Sequence, residues 1–212
     1  RPALEGETME IFNYLVEFMR TLVTYAFNFT DMVGFPSYGV AIIIITVIIK
    51  AILAPLTVKQ IKSMKAMQEL QPRMKELQEK YKNDPQRLQA EMGAMYKEMG
   101  VNPLAGCLPL LVQMPFLIAI FYAWQGYPYS PEFEHFLWLP SLGESDPYYI
   151  LPVLSALSTW LMSRQTGMGA SGAAAQQQKI MQIFMPLFIG YISLNFPSGL
   201  VIYWIVSNVF QL

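Results

Sequence analysis

The sequence predicts an all-α membrane protein with five transmembrane helices around a hydrophilic groove, an N-terminal interfacial amphipathic helix and a cytoplasmic helical hairpin. Three observations carry this prediction. Of the 212 residues, 54% are hydrophobic and 14% charged, where a soluble domain has about 25% charged residues. Five apolar stretches divide the chain. Nine of the 14 Lys and Arg fall between Lys59 and Lys97, so the positive charge is gathered into one segment.

Residues 1–36 read as an extracytoplasmic, interfacial segment. From 8 to 31 the apolar positions are interrupted by Glu10, Glu17, Arg20 and Asp31, which fits a helix lying on the outer leaflet rather than crossing it. The segment lacks the basic start and cleavage site of a signal peptide. Opening at Arg1 without a Met, the chain reads as processed or trimmed. Asp31 and Gly34 mark a turn into the first span.

Residues 37–58 hold that span. The run Gly39–Val58 (GVAIIIITVIIKAILAPLTV) has twenty residues, about 30 Å of helix, which matches the hydrocarbon thickness of a bilayer. Lys50 is its one charged residue. It lies about 12 Å of helix from Val58, too far for complete snorkelling, so a wet or polar neighbour is expected at the ammonium. Thr46 shares its face. Pro55 deprives the Ala51 carbonyl of its usual donor and is expected to bend the helix.

Residues 59–101 read as a cytoplasmic helical hairpin. Ile61, Met64, Met67, Leu70, Met74, Leu77 and Tyr81 recur at threes and fours, with a kink expected at Pro72. Asn83-Asp84-Pro85 is a turn and helix start. Leu88, Met92, Met95 and Met99 then repeat until the stop signal Gly100. The methionines either fill the seam or offer a flexible surface to apolar partners.

Residues 102–212 hold spans two to five. The second, Pro103–Trp124, opens on Asn102 as N-cap. The third, Tyr148–Met162, and the fourth, Ile180–Leu194, are short, so they extend or the bilayer thins around them. The fifth starts near Gly199 and is still apolar at Leu212, which reads as a chain cut before a cytoplasmic tail. The external loop 125–147 has no Lys or Arg but carries Glu132, Glu134, Glu144 and Asp146, whereas the cytoplasmic loop 163–179 has Arg164 and Lys179 around the small polar run Thr166–Gln178. The charge bias places the N-terminus outside and the C-terminus in the cytoplasm.

Polar residues recur within the spans. Gln113 lies on the second, Ser155, Ser158 and Thr159 on the third, and Trp204, Ser207 and Asn208 on the fifth. Such residues commonly bond to backbone or hold helices together, and a tryptophan commonly anchors an interface. Lys50 shifts the balance, because no span contains an Asp or Glu to pair with it. A hydrated groove lined by Thr46, Lys50, Gln113 and the Trp204-Ser207-Asn208 face is therefore inferred. Such a groove lowers the barrier for a polar segment entering lipid, and its fixed charge attracts acidic residues.

Other chemistries are poorly supplied. Cys107 is the only cysteine and His135 the only histidine, which excludes an intrachain disulfide, a histidine-rich metal site and a Cys/His nucleophile pair. Acidic residues interleave the bases from Lys59 to Lys97, so nucleic-acid recognition is not expected.

The segments IIIITVIIKAILAPLT, MQELQP, VNPLAGCLPLLVQMP, DPYYILP, QQQKIMQIFMP and FPSGLVIYWIVSN, spanning residues 41–208, resemble the YidC/Oxa/Alb insertases of bacteria, mitochondria and chloroplasts. With no large extracytoplasmic domain, the chain is similar to the short form of many Gram-positive bacteria. The resemblance implies five core spans enclosing a groove open to cytoplasm and lipid, closed to the outside. It implies insertion of newly made proteins into the plasma membrane, alone or beside the Sec translocon, with no enzyme activity and no cofactor. Thr46, Lys50, Gln113 and Trp204 match its groove positions. Met114, Pro115 and Tyr203 match motif positions near the substrate path, and Cys107 matches a position with a packing role. The family usually has arginine where this chain has Lys50, so charge is kept but the planar fork is not. The implied partners are nascent membrane proteins, especially single-span ones with short external tails, and the lipid bilayer. The Sec translocon, the ribosome and the signal-recognition receptor are candidates at the cytoplasmic hairpin. A small ion or solute transporter using Lys50 is the alternative, though no inverted repeat supports it. An intramembrane enzyme has too few reactive groups to draw on.

Overall fold

The computed structural model describes residues 2–100, 108–125, 127–166 and 173–212. Among them the regular elements are eight helices: α1 (Pro2–Met32), α2 (Tyr38–Glu69), α3 (Gln71–Lys80), α4 (Pro85–Glu98), α5 (Leu108–Trp124), α6 (Ile150–Thr166), α7 (Ala173–Ser193) and α8 (Ser198–Phe210). The only strand-like pairing among the described residues is an isolated bridge between Phe136 and Leu139. Within α2, Tyr38–Ser63 is long and apolar enough to cross a membrane, while Gln113–Trp124, Gln182–Ser193 and Ser198–Phe210 are shorter apolar stretches. The expected cap Asn102, the helix start Pro103 and Cys107 lie outside the described residues.

Local chemistry sets the helix ends. After α1, Gly34 takes φ +86°. Its N–H reaches the Asp31 carbonyl at 2.9 Å, and the Phe35 N–H reaches that of Thr30 at 2.9 Å. This is a Schellman stop, which needs a residue at ease with positive φ. Ser37 then caps α2, its Oγ accepting from the Val40 N–H at 3.4 Å. Asp84 caps α4 by accepting from the Arg87 N–H at 3.1 Å, with Pro85 in the first turn. Gly100 follows α4 at φ +63°. The turn and stop expected in the hairpin are thus in place.

Helix boundaries differ in places from the sequence reading. Helix α2 runs unbroken past Pro55 and residue 58 to Glu69, so the first arm of the hairpin continues the apolar helix. Where a kink is expected at Pro72, the helical run is interrupted at the single residue Leu70, which keeps right-handed helical angles (φ −80°, ψ −10°), and α3 begins at Gln71 with Pro72 in its first turn. A proline there forfeits no helical hydrogen bond, since first-turn N–H groups have no partner within the helix. Helix α7 begins at Ala173, so the AAAQQQ stretch at 173–178 is helical, as its composition favours.

Helix α2 is central. It packs against α1 and α8; α8 also meets α6 and α5, α6 pairs with α7, and α1 rests on α5. The core joins Val23, Ile42, Ile120, Trp124, Leu142, Leu200 and Tyr203. Close approach requires glycine at two points. The Phe136 ring lies where a Cβ on Gly39 would project, and a Cβ on Gly199 would meet Ile42 Cδ1 at 3.1 Å and the Leu142 carbonyl oxygen at 3.4 Å.

The loop before α6 roofs this core. Phe27 stacks on Tyr38 with centroids 4.0 Å apart, and Tyr127 and Tyr129 meet Tyr38 edge-on. Burial pushes the Tyr129 hydroxyl above the usual phenol range, so it stays protonated. The first amides of α8 use loop carbonyls: the Ser198 N–H donates to Glu144 O at 2.7 Å and the Gly199 N–H to Leu142 O at 3.0 Å. Otherwise these donors would be unpaired.

Arg20 of α1 performs the matching task at the other polarity. Its Nε donates to the Ala123 carbonyl at 3.3 Å and an Nη to that of Tyr122 at 3.4 Å, at the negative end of α5. Glu17 holds the guanidinium at 2.9 Å. Replacing Arg20 with Met is expected to cost about 1 kcal/mol, read as a drop of about 2–4 °C in the thermal midpoint of the purified chain. An unchanged midpoint would show that water serves those carbonyls equally well.

Candidate functional site

Thr46 and Lys50 stand one turn apart on α2, both buried. Thr46 Oγ1 donates to the Ile42 carbonyl at 2.6 Å, the usual refuge of a hydroxyl in an apolar helix. Lys50 is only 6% exposed. Its Nζ donates to Gln113 Oε1 of α5 at 3.0 Å, and Gln113 Nε2 donates to the Tyr203 hydroxyl of α8. A three-member polar chain therefore crosses three helices. Its middle member has a reason to point each way: the amide oxygen faces the cation and the amide nitrogen faces the phenol oxygen.

Charge and hydrogen bonding are unequally satisfied here. Gln113 supplies an acceptor but no negative charge. The ion pair among the described residues is Arg20–Glu17, on another helix. Among the described residues no carboxylate pairs with Lys50, so a charge on it is uncompensated, in surroundings where a charge acts over a longer range than in water. An ammonium has three N–H donors, and the bond to Gln113 occupies one.

The other predicted residues form a second cluster. Trp204 Nε1 donates to Thr159 Oγ1 of α6 at 2.9 Å. Asn208 Nδ2 donates to Ser158 Oγ at 3.1 Å and to Thr159 Oγ1 at 3.1 Å. Behind them Ser155 Oγ donates to Ser193 Oγ of α7 at 3.1 Å. Ser207 is buried on α8, and its carbonyl accepts from Gln211 Nε2 at 3.1 Å. Tyr203 and Trp204 are neighbours in sequence but point about 100° apart around α8, one toward α5 and α2, the other toward α6. The structure brings Lys50, Gln113 and Tyr203 together and directs the hydrogen bonds of Trp204 and Asn208 elsewhere. Met114 and Pro115 are exposed on α5, outside both clusters. Thr159 was visible as part of a polar face on the third span, but its role as shared acceptor for Trp204 and Asn208 was not.

A family model described as 60Kd inner membrane protein matches residues 28–212, which include both clusters. The chain belongs to the 60Kd inner membrane protein family. Among relatives in this family, the membrane protein insertase YidC of Oceanobacillus iheyensis is 42% identical over 219 residues, covering 99% of this chain and 82% of that protein. The membrane protein insertase YidC of Clostridium perfringens is 43% identical over 180 residues, covering 82% and 75%. A solved structure described as an active YidC insertase with the first transmembrane domain resolved aligns with a TM-score of 0.67 at 27% identity, covering 95% of this chain. This chain spans 44% of that larger one.

Proposed function

We propose that this member of the 60Kd inner membrane protein family is a membrane protein insertase of the plasma membrane, acting on newly made membrane proteins alone or beside the Sec translocon. The observation that carries the reading is Lys50: one cation buried in an apolar helix, held by a neutral amide and left with its net charge. Helices α2, α5, α6, α7 and α8 are the five spans, and the groove between them opens to cytoplasm and lipid. The N-terminus and the loop before α6 lie outside, and the α3–α4 hairpin lies in the cytoplasm, where ribosome, receptor or translocon can meet it.

In this reading no covalent bond is made or broken. A hydrophobic nascent segment moves along the lipid-facing side of α2, α6 and α8, driven by removal of its apolar surface from water. Its hydrophilic flank pauses beside Lys50. In the resting structure the ammonium is nearly enclosed, so attraction acts first through space. An arriving carboxylate then takes an N–H of the ammonium or displaces the Gln113 oxygen. The polar cluster on α6 and α8 joins the helices that bound the path.

The direct test places a photocrosslinking amino acid at Gln113 or Trp204 during synthesis of a single-span substrate. Capture of the nascent chain at both positions is expected. Capture at neither would sink the groove reading.

A further inference from the structure

We propose that the Phe136–Leu139 turn and Tyr148–Tyr149 lie within the outer lipid leaflet rather than in external water, and that an acyl chain of an outer-leaflet phospholipid occupies the pocket beneath the turn. This rests on the reading of the chain as membrane-spanning with this loop outside, and not on insertase activity.

The first observation is a shortfall in length. Helix α6 has 17 residues, about 25 Å of helix, against a hydrocarbon core about 30 Å thick. Arg164 in the last turn of α6 limits apolar reach at the inner end. Either the bilayer thins, or apolar surface is added at the outer end.

Apolar surface is present there. The exposed face of α6, with Leu157, Leu154 and Val153, continues past the helix start through Ile150, Tyr149 and Tyr148 to Leu137, which is 74% exposed. An apolar pocket of about 100 Å³ lies between the turn, α6 and α8, lined by Leu137, Leu139, Leu154, Ile202, Ile205 and Val206 among others.

The backbone gives a second, independent observation. Leu137 and Tyr149 both adopt positive φ, +52° and +59°. Bulky residues rarely do so, and glycine would fit with less strain. Both side chains are exposed, so packing inside the protein does not account for large residues at these positions. An apolar medium outside does, with tyrosine suited to the headgroup boundary.

The charges agree. Two of the four carboxylates of this loop are drawn inward. Glu134 accepts from Ser141. Asp146 is 3% exposed and accepts from Trp138 Nε1 and from the Tyr148 and Leu151 amides. Glu132 and Glu144 stay exposed, while Leu137, Tyr148, Tyr149, Ile150 and Val153 form an exposed surface of tyrosine and aliphatic side chains, which favours lipid over a charged protein partner.

Nitroxide labels at single cysteines test the depth. They would replace Leu137 and Tyr149, with Glu132 as aqueous control and Leu157 as mid-span control, in the full chain carrying Cys107→Ser. The protein sits in vesicles of dioleoyl phosphatidylcholine and phosphatidylglycerol, and collisional access to oxygen and to a water-soluble nickel chelate is compared. Labels at 137 and 149 are expected to favour oxygen, with ratios closer to Leu157 than to Glu132. Nickel access matching Glu132 would overturn the proposal and favour thinning of the bilayer. The unmodified chain gives a second measurement, using phosphatidylcholine with a photoreactive group in its acyl chain. Adducts on residues 136–139 and on Leu154 or Ile205 support the pocket. Adducts confined to the inner halves of α6 and α8 would overturn it, and neither result depends on whether substrates are inserted.

Discussion

Replacing Lys50 with alanine is expected to cut insertion of single-span substrates with acidic external tails by about 10- to 100-fold, while neutral-tail substrates change little. The magnitude follows from Coulomb's law. A carboxylate about 8 Å from the ammonium, at an effective dielectric constant of about 20, gains about 2 kcal/mol, or about 30-fold in an equilibrium. Nothing else in the cluster can supply this term, since Gln113 and Tyr203 are neutral partners. Lys50→Met should match the alanine variant, because it keeps volume without charge. Lys50→Arg should retain most activity, its guanidinium still able to donate to Gln113. Protection of the external tail from protease in sealed vesicles is the measurement. Equal insertion of acidic and neutral tails by the alanine variant would remove the charge from the mechanism.

That experiment probes a residue that was legible in the sequence, and the reason is physical. A single lysine among nineteen uncharged residues of an apolar run is costly wherever the helix lies, so its importance does not depend on knowing its neighbours. Helix boundaries governed by one or two residues were legible for the same reason: Gly34 closing α1, Asp84 and Pro85 opening α4, Gly100 ending it. Pairing between helices was not. Spacing shows that Trp204 and Asn208 share a face of α8, but not that this face turns toward Thr159 and Ser158 while Tyr203 turns toward Gln113. The rotation of α8 is set by its packing on α2 and α6, with Gly199 admitting close approach to Ile42 and Leu142. Pro72 shows a related limit. A disturbance of the helix near it was expected, but not its place at Leu70, which leaves the proline in a first turn, where it is best tolerated.

The external acids were the least legible feature, and Asp146 is the clearest instance. As one of four carboxylates in a loop without Lys or Arg it reads as solvated surface. In the structure it is buried and accepts three hydrogen bonds, from Leu151 N at 2.7 Å, Tyr148 N at 3.0 Å and Trp138 Nε1 at 3.3 Å. Replacing Asp146 with alanine leaves three donors without their acceptor, next to the start of α6. Bonds to a charged group contribute about 1.5–3 kcal/mol each and do not add fully, so the expected loss is about 3–5 kcal/mol. For a chain of this size that lowers the thermal midpoint by about 10 °C. Asp146→Asn should fall between, since its amide oxygen can still accept from part of the set. The damage should also travel, because Leu142 and Glu144 hold the first amides of α8 just upstream. Hydrogen exchange at Ser198 and Gly199 should therefore quicken in the alanine variant while amides in the middle of α2 remain protected. If the midpoint held and exchange at the start of α8 were unchanged, the carboxylate would be dispensable to the roof, and α8 would owe its position to helix packing alone.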